Sequence, residues 1–212
     1  MKTSIKTLIA LTITTVALTL STVNVKAAEP NQVTVLTEVK KVNKITVSGN
    51  VELILVQSAD ESVKVYDSYF SKNALVQQKD GELRVSSFNK EALTVVVYVS
   101  NLSSISASDN STIKTFGKFN TLSLDVNLKD KATAVLNTNT VNLFANLNGQ
   151  SNLSLTGTTL EYNAIMGSVA TVSMSQFTAS TTNIQSKNNN VVIAKNPKAI
   201  TTLEEIYLSE NS

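Results

Sequence analysis

The sequence predicts an all-β solenoid with two strands per coil of about 20 residues, on three observations. The first is alternation. Leu122, Leu124, Val126 and Leu128 are spaced by two, with Ser123, Asp125 and Asn127 between them, as in a strand that buries one face. The second is recurrence. The pattern returns as Val141-Leu143-Ala145-Leu147 and again, after the same interval, as Leu160-Tyr162-Ala164-Met166; a fixed period of this kind marks stacked coils. The third is punctuation. One set of turn residues is Asp109-Asn110, Asp130, Asn148-Gly149, Gly167-Ser168 and Asn188-Asn189-Asn190. A second set falls between them: Gly117, Asn137-Thr138-Asn139, Gly157, Gln176 and Asn196-Pro197. These residues accept positive φ or cap a turn through their side chains, so each coil has two corners.

Taken in order, residues 1–27 read as a cleaved signal peptide. Lys2 and Lys6 precede an apolar run from Leu8 to Leu20, and Val25 and Ala27 sit at the small-residue positions of a cleavage site, with the mature chain starting at Ala28 or Glu29. The run is shorter than the ~20 residues of a membrane span, so no transmembrane segment is expected after cleavage. Cleavage removes three lysines and no acid, which turns 18 − 16 = +2 into 15 − 16 = −1. That balance gives no electrostatic basis for nucleic acid binding. The expected location is outside the cytoplasm: periplasm, outer envelope or extracellular space.

Residues 28–41 are expected as an N-terminal extension. Lys40, Lys41 and Lys44 form a basic cluster beside Val39 and Val42, read as a solvated loop or strand end, with contact to an anionic surface as the alternative. Residues 42–196 are expected as one domain, because no Pro/Gly linker divides them. Within it, Ile45-Val47-Gly49, Val51-Leu53-Leu55, Val63-Val65, Leu83-Val85 and Leu93-Val95-Val97-Val99 all alternate, less regularly than the later repeats. Residues 197–212 are expected as a C-terminal cap or tail. Leu203-Glu204-Glu205-Ile206-Tyr207-Leu208 could cover the last coil there.

Stacking the repeats predicts four internal columns: Leu122/Val141/Leu160, Leu124/Leu143/Tyr162, Val126/Ala145/Ala164 and Leu128/Leu147/Met166. After the corners, Ile113, Val135, Leu153-Leu155, Val172-Met174 and Val191-Ile193 supply the second strand. Upstream, the same register sets Ile105 beside Leu124 and Ala107 beside Val126. The outward columns are Ser123/Asn142/Glu161, Asp125/Phe144/Asn163 and Asn127/Asn146/Ile165. Like charges stacked ~4.8 Å apart repel by about 1 kcal/mol even in water. This accounts for Glu161 being the one charge between Ala132 and Ser186.

The N-terminal half resembles the head GIN domain family, described as auto-transporter adhesins of Gram-negative bacteria. The matching stretches are Ile45-Thr46-Val47-Ser48-Gly49-Asn50-Val51-Glu52-Leu53, Gly81-Glu82-Leu83-Arg84-Val85, and Thr94 to Val99 followed by Asn101-Leu102-Ser103-Ser104-Ile105. Asn148-Gly149-Gln150-Ser151-Asn152-Leu153 fits the family's Ser-Gly-x-Ser turn, and Ser108-Asp109-Asn110-Ser111-Thr112-Ile113 fits with Asp in place of Gly. The resemblance implies a right-handed parallel β-helix without catalytic residues and a role in adhesion, and it transfers no functional residue.

The inventory narrows the chemistry further. The chain has no His and no Cys, which removes imidazole bases, triads, thiolate nucleophiles and thiolate metal sites. Asp109 and Asp130 occupy equivalent corners of successive coils, close to the spacing of a retaining glycosidase pair. The simpler expectation is two turn-forming aspartates, the second flanked by Lys129 and Lys131. With Asn110 they could also offer oxygens to Ca²⁺, too few for a full shell. In this register Phe144 and Ile165 point outward on neighbouring coils, where an aromatic ring could stack on a sugar; a register slip that buries both is the equal alternative. The triplets beginning at Asn101, Asn110 and Asn152 match the N-glycosylation pattern, as a chain this rich in Asn, Ser and Thr does by chance. No catalytic, cofactor or metal residue is expected, and the ligand-binding residues are not fixed by sequence. The reading is a non-enzymatic exported adhesion or interaction protein. Its expected partners are surface glycans or host and matrix proteins, with self-association open. A carbohydrate-binding module is the alternative, and a polysaccharide lyase or hydrolase comes third.

Overall fold

The computed structural model describes residues 33–66, 74–187 and 192–194. The expected signal peptide, the corner expected at Asn188-Asn189-Asn190, Val191, Asn196-Pro197 and the expected tail lie outside the described residues, as do residues 28–32 of the expected extension.

Corners set the course of the chain. The segments Ser108–Ser111, Lys129–Ala132 and Gly167–Ala170 close as tight turns, the last amide donating to the first carbonyl at 3.2, 3.0 and 3.3 Å. In the first two, Asp109 and Asp130 take positive φ (60° and 58°), as does Gly149 (66°) at the corner between them and Gly167. Asp is among the few side chains that tolerate this conformation, since its short carboxylate bonds locally. Here the carboxylates also reach across to neighbouring strands: Gly49 N donates to Asp109 Oδ2 (2.8 Å), and Asp109 N donates to Asp130 Oδ2 (3.3 Å). At Gly149 a Cβ would meet the Asp130 carbonyl oxygen at 2.8 Å, so glycine is required where the corners stack this closely.

Between corners the chain is extended, and the strands join in one sheet that is bent at the corners. One run of strands, the front wall, comprises β5 (Ala74–Lys79), β6 (Glu82–Ser87), β2 (Lys44–Gly49), β8 (Ser104–Ala107) and the parts of β10 (Phe119–Leu128), β11 (Thr133–Leu147), β12 (Asn152–Met166) and β13 (Thr171–Ser186) that follow the bend at Leu122-Ser123 and its equivalents. The back wall comprises β1 (Val33–Leu36), β4 (Ser62–Tyr66), β7 (Leu93–Val99), β3 (Val51–Gln57), β9 (Thr112–Phe116), the first halves of β11 to β13, and β14 (Val192–Ala194). The pairs β10–β11, β11–β12 and β12–β13 are parallel and set equivalent residues of successive coils side by side, as in Leu124, Leu143 and Tyr162. One apolar cluster lies between the walls, from Val39 and Val42 through Leu53, Leu83, Ile105 and Leu124 to Met166 and Phe177.

The all-β expectation holds, and so do three of the four internal columns. Leu124/Leu143/Tyr162, Val126/Ala145/Ala164 and Leu128/Leu147/Met166 are buried. The first column is a correction: Leu122, Val141 and Leu160 are 78%, 38% and 56% exposed. Strand β11 shows the reason. Thr138 and Thr140 point inward, Val141 and Asn142 are both exposed, and Leu143 begins a new inward phase. Two consecutive outward residues make a corner, and alternation read straight through it assigns Val141 to the wrong side. Val135 is corrected likewise, at 41% exposure, with Ala134 and Leu136 buried beside it. Upstream, Ile105 pairs with Val126 and Ala107 with Leu128, so the register there is slipped by two positions from the expected one.

The sheet is also mixed rather than uniformly parallel. β1–β4, β4–β7 and β5–β6 are antiparallel. β1 falls inside the expected extension and is hydrogen-bonded into the sheet through β4. Stacking order departs from chain order as well. The coil made by β2 and β3 lies between β6–β7 on one side and β8–β9 on the other, pairing Lys44 with both Glu82 and Ser104. That interleaving is why the N-terminal half shows no fixed period.

Two substitutions separate the columns. Leu143→Asp places an unpaired charge in the core and is expected to cost at least about 3 kcal/mol. Leu122→Asp, on the exposed column, is expected to cost under about 1 kcal/mol. Equal losses in chemical denaturation of the two variants would refute the corrected phase.

Candidate functional site

The outer face of the front wall carries side chains in straight rows, because in-register pairing places one residue of each strand beside the next. One row runs Lys79–Glu82–Lys44–Ser104–Asp125–Phe144–Asn163–Asn183. The next parallel row on the same face runs Gln77–Arg84–Thr46–Ser106–Asn127–Asn146–Ile165–Gln185. Away from the β5–β6 end these are hydroxyls and amides, with Phe144 and Ile165 half-buried among them and Asp125 exposed.

At the β5–β6 end the face turns ionic. A cleft of about 390 Å³ is lined by Asn43, Lys44, Lys79, Asp80, Glu82 and Arg84. Asp80 and Gly81 form the tight hairpin turn between β5 and β6, both at positive φ (50° and 76°), the Asp-Gly pattern that suits such a hairpin. This turn puts Lys79 directly opposite Glu82. Arg84 Nη2 donates to Glu82 Oε2 (2.7 Å), Thr46 Oγ1 donates to Glu82 Oε1 (2.6 Å), and Lys44 Nζ lies 3.5 Å from Glu82 Oε1. These bonds, with Arg84 first and Thr46 second, pull the Glu82 carboxyl down to about 2, against a smaller opposing effect of desolvation. Glu82 is thus satisfied within the protein. Lys79 has no ion-pair partner among the described residues, and the one Arg84 nitrogen engaged there is Nη2.

The segment before β2 is fastened to the same end. Lys40 N donates to Gln78 Oε1 (3.1 Å), and Gln78 returns a bond to the Lys40 carbonyl. Lys41 N donates to Glu61, which Ser100 Oγ also reaches at 2.7 Å. Burial disfavours the charged Glu61, yet these bonds outweigh it and hold its carboxyl below the ordinary range. Of the lysine cluster read from sequence, Lys44 lines the cleft, while Lys40 and Lys41 are exposed on the clamped segment. Sequence reading did not bring Lys79 and Arg84 to Lys44. The available signal was the Lys79-Asp80-Gly81-Glu82 hairpin, which had to be paired with a strand far upstream, β2 at Lys44.

The other sequence candidates have structural roles. The Asp109 and Asp130 carboxylates accept backbone amides at the corners. Among the described residues no group of three acidic side chains could hold a metal ion. Asn101, Asn110 and Asn152 are exposed. The outer face of the back wall differs in kind. β3 and β7 are nearly continuous apolar runs; Ile54, Val56, Val96 and Tyr98 are half-buried, and Val35, Phe116 and Val135 are exposed.

Fold and rows together define the class: an all-β protein whose paired strands present a long, mostly uncharged outer face. The chain belongs to the family described as "Putative auto-transporter adhesin, head GIN domain", whose model matches residues 41–201. Its fold is similar to that of a solved putative adhesin from Parabacteroides merdae ATCC 43184, with a TM-score of 0.54 and 14% identity over 73% of this chain and 77% of that one. A putative adhesin from Bacteroides fragilis NCTC 9343 aligns with a TM-score of 0.47 and 15% identity over 76% and 95% of the two chains. No curated protein matches the sequence. No helix among the described residues is long and apolar enough to cross a membrane.

Glu82 gives a pH prediction. Its folded pKa lies below its ordinary value of 4.5, so its contribution to stability is complete above that value and is lost as pH falls through about 2. Carboxyl-carbon NMR of Glu82 is expected to show a midpoint near 2 that rises in Arg84→Gln and in Thr46→Val. A wild-type midpoint at 4.5 would overturn the arrangement.

Proposed function

We propose that this chain is a non-enzymatic adhesion protein that binds its partner through the outer face of the front wall. The observation that carries the proposal is the pair of aligned rows, in which Ser104, Ser106, Asn127, Asn146 and Asn163 present hydroxyl and amide groups at a regular strand spacing. Family membership supports it. Such groups form hydrogen bonds in both directions, which suits sugar hydroxyls and peptide groups. The N-terminal Lys2/Lys6, apolar and small-residue pattern supports export to the periplasm, outer envelope or extracellular space. In this proposal the later coils, from Ser104 to Ser186, wind as a right-handed parallel β-helix. The parallel steps of about 20 residues and the stacked corners support that winding.

A carbohydrate ligand is the second reading, and Phe144 favours it. Its half-buried ring sits in the row between Asp125 and Asn163, with Asn142 and Asn146 flanking it on the same face of the strand. An aromatic face beside amide groups offers a sugar both stacking and hydrogen bonds.

Two measurements test these readings. A glycan and matrix-protein array with the full chain is expected to give a ligand whose affinity falls by about 1–2 kcal/mol in Phe144→Ala, the cost of losing an aromatic anchor, with the thermal midpoint kept. Binding unchanged in that variant would remove the front face from the proposal. Second, the protein is expected to release no reducing ends or unsaturated products from pectin, mucin or bacterial polysaccharides, with or without Ca²⁺. General acid–base cleavage needs free, converging groups, and the Asp109 and Asp130 carboxylates are occupied by corner amides. Activity abolished by Asp109→Asn with Asp130→Asn would overturn the non-enzymatic reading.

A further inference from the structure

We infer that the cleft at the β5–β6 end is the subsite for one oxyanion, a carboxylate or sulfate, at the end of a short oligosaccharide whose next rings run along the same row to Phe144. The inference rests on the carbohydrate reading of the front face and adds the charge, polarity and length of the ligand.

Four observations converge on it. The cleft sets three cations, Lys44, Lys79 and Arg84, against two acids, Asp80 and Glu82. Glu82 is already saturated by Arg84, Thr46 and Lys44, so one positive charge remains for a ligand. Lys79 has no ion-pair partner among the described residues, and Arg84 bonds Glu82 through Nη2, leaving the rest of its fork to meet a two-oxygen anion. All six residues that line the cleft are polar or charged, which suits an anionic group and not an apolar one.

The row then defines what the anion is attached to. From Lys44 the same row passes through Ser104 and Asp125 to Phe144, three strand spacings or ~14 Å away. A short oligosaccharide reaches from one to the other; an isolated anion does not. Asp125 is exposed midway and repels a second acidic group, so a densely charged polyanion is disfavoured and a chain with its acid at one end is selected. The neutral row Thr46–Ser106–Asn127–Asn146 alongside suits uncharged sugar rings.

Calorimetry with the full chain tests this using three related oligosaccharides: one neutral, one ending in a uronate and one ending in a sulfated sugar. Inorganic sulfate alone serves as a fourth probe. One or both acidic oligosaccharides are expected to bind about tenfold tighter than the neutral one, a preference that weakens with salt, and sulfate alone is expected to bind far more weakly. The stronger of the two assigns the oxyanion as carboxylate or sulfate. Lys79→Gln, which breaks no ion pair within the described residues, is expected to abolish the acid preference and keep neutral binding. Phe144→Ala is expected to weaken all three oligosaccharides alike. Equal binding of acidic and neutral forms, or an acid preference that survives Lys79→Gln, would overturn the subsite while leaving the carbohydrate reading standing. No binding of any oligosaccharide would overturn both.

Discussion

Most of this protein follows from one constraint: neighbouring strands pair in register, so a side chain on an inner strand has a neighbour about 4.8 Å away on both sides. Inside, that constraint rewards columns of matching apolar residues such as Leu124, Leu143 and Tyr162, where the Tyr162 ring also meets Phe177 edge-on at 5.8 Å. Outside, it penalises repeated charge and favours Asn, Ser and Thr. At the corners it allows one turn's carboxylate to bond the amide of the turn below, as Asp130 does for Asp109. Core, face and corner are three results of the same stacking.

The later coils were legible in the sequence because this stacking leaves a period there. Leu143, Ala145 and Leu147 announce both their inward direction and their partners on the next coil, Tyr162, Ala164 and Met166. Asp109, Asp130 and Gly149 announce corners through the backbone conformation they accept. Two things were not legible. Alternation has no mark for the residue at which a strand bends, so Leu122 and Val141 read as core although they lie outside. Pairing between Lys44 and Glu82 relates two segments well separated in the chain, with no periodic signal to join them, so the ionic cleft could not be assembled from spacing. Phe144 keeps its place in the outward row because β11 pairs there with both neighbours without a slip, although the residue is half-buried.

The two outer faces set different terms for contact. The front face is polar, with its cations gathered at one end, so it can discriminate by hydrogen bonding and by the position of a charge. The back face holds Ile54, Val96 and Val135 in the same run of strands with a few charges among them, such as the Lys114–Glu52 pair at 2.7 Å. Polar groups cost free energy when buried without partners, so the front face favours selectivity. The apolar back offers area without direction.

The interleaved stacking of the first coils has a consequence for the order of assembly. β3 is apolar on both faces, and its partners β7 and β9 come much later in the chain, with Val51 pairing to Leu93 and Glu52 to Thr112. A chain that emerges from its N-terminus therefore holds an unpartnered, aggregation-prone strand until β7 appears, and one with an open edge until Phe116 has followed. The coils after that point can add one at a time, each closing a loop of only about 20 residues at modest entropic cost. This order of pairing favours a slow start to folding and quicker additions afterwards, and the early strands are where a chaperone would have the most to protect.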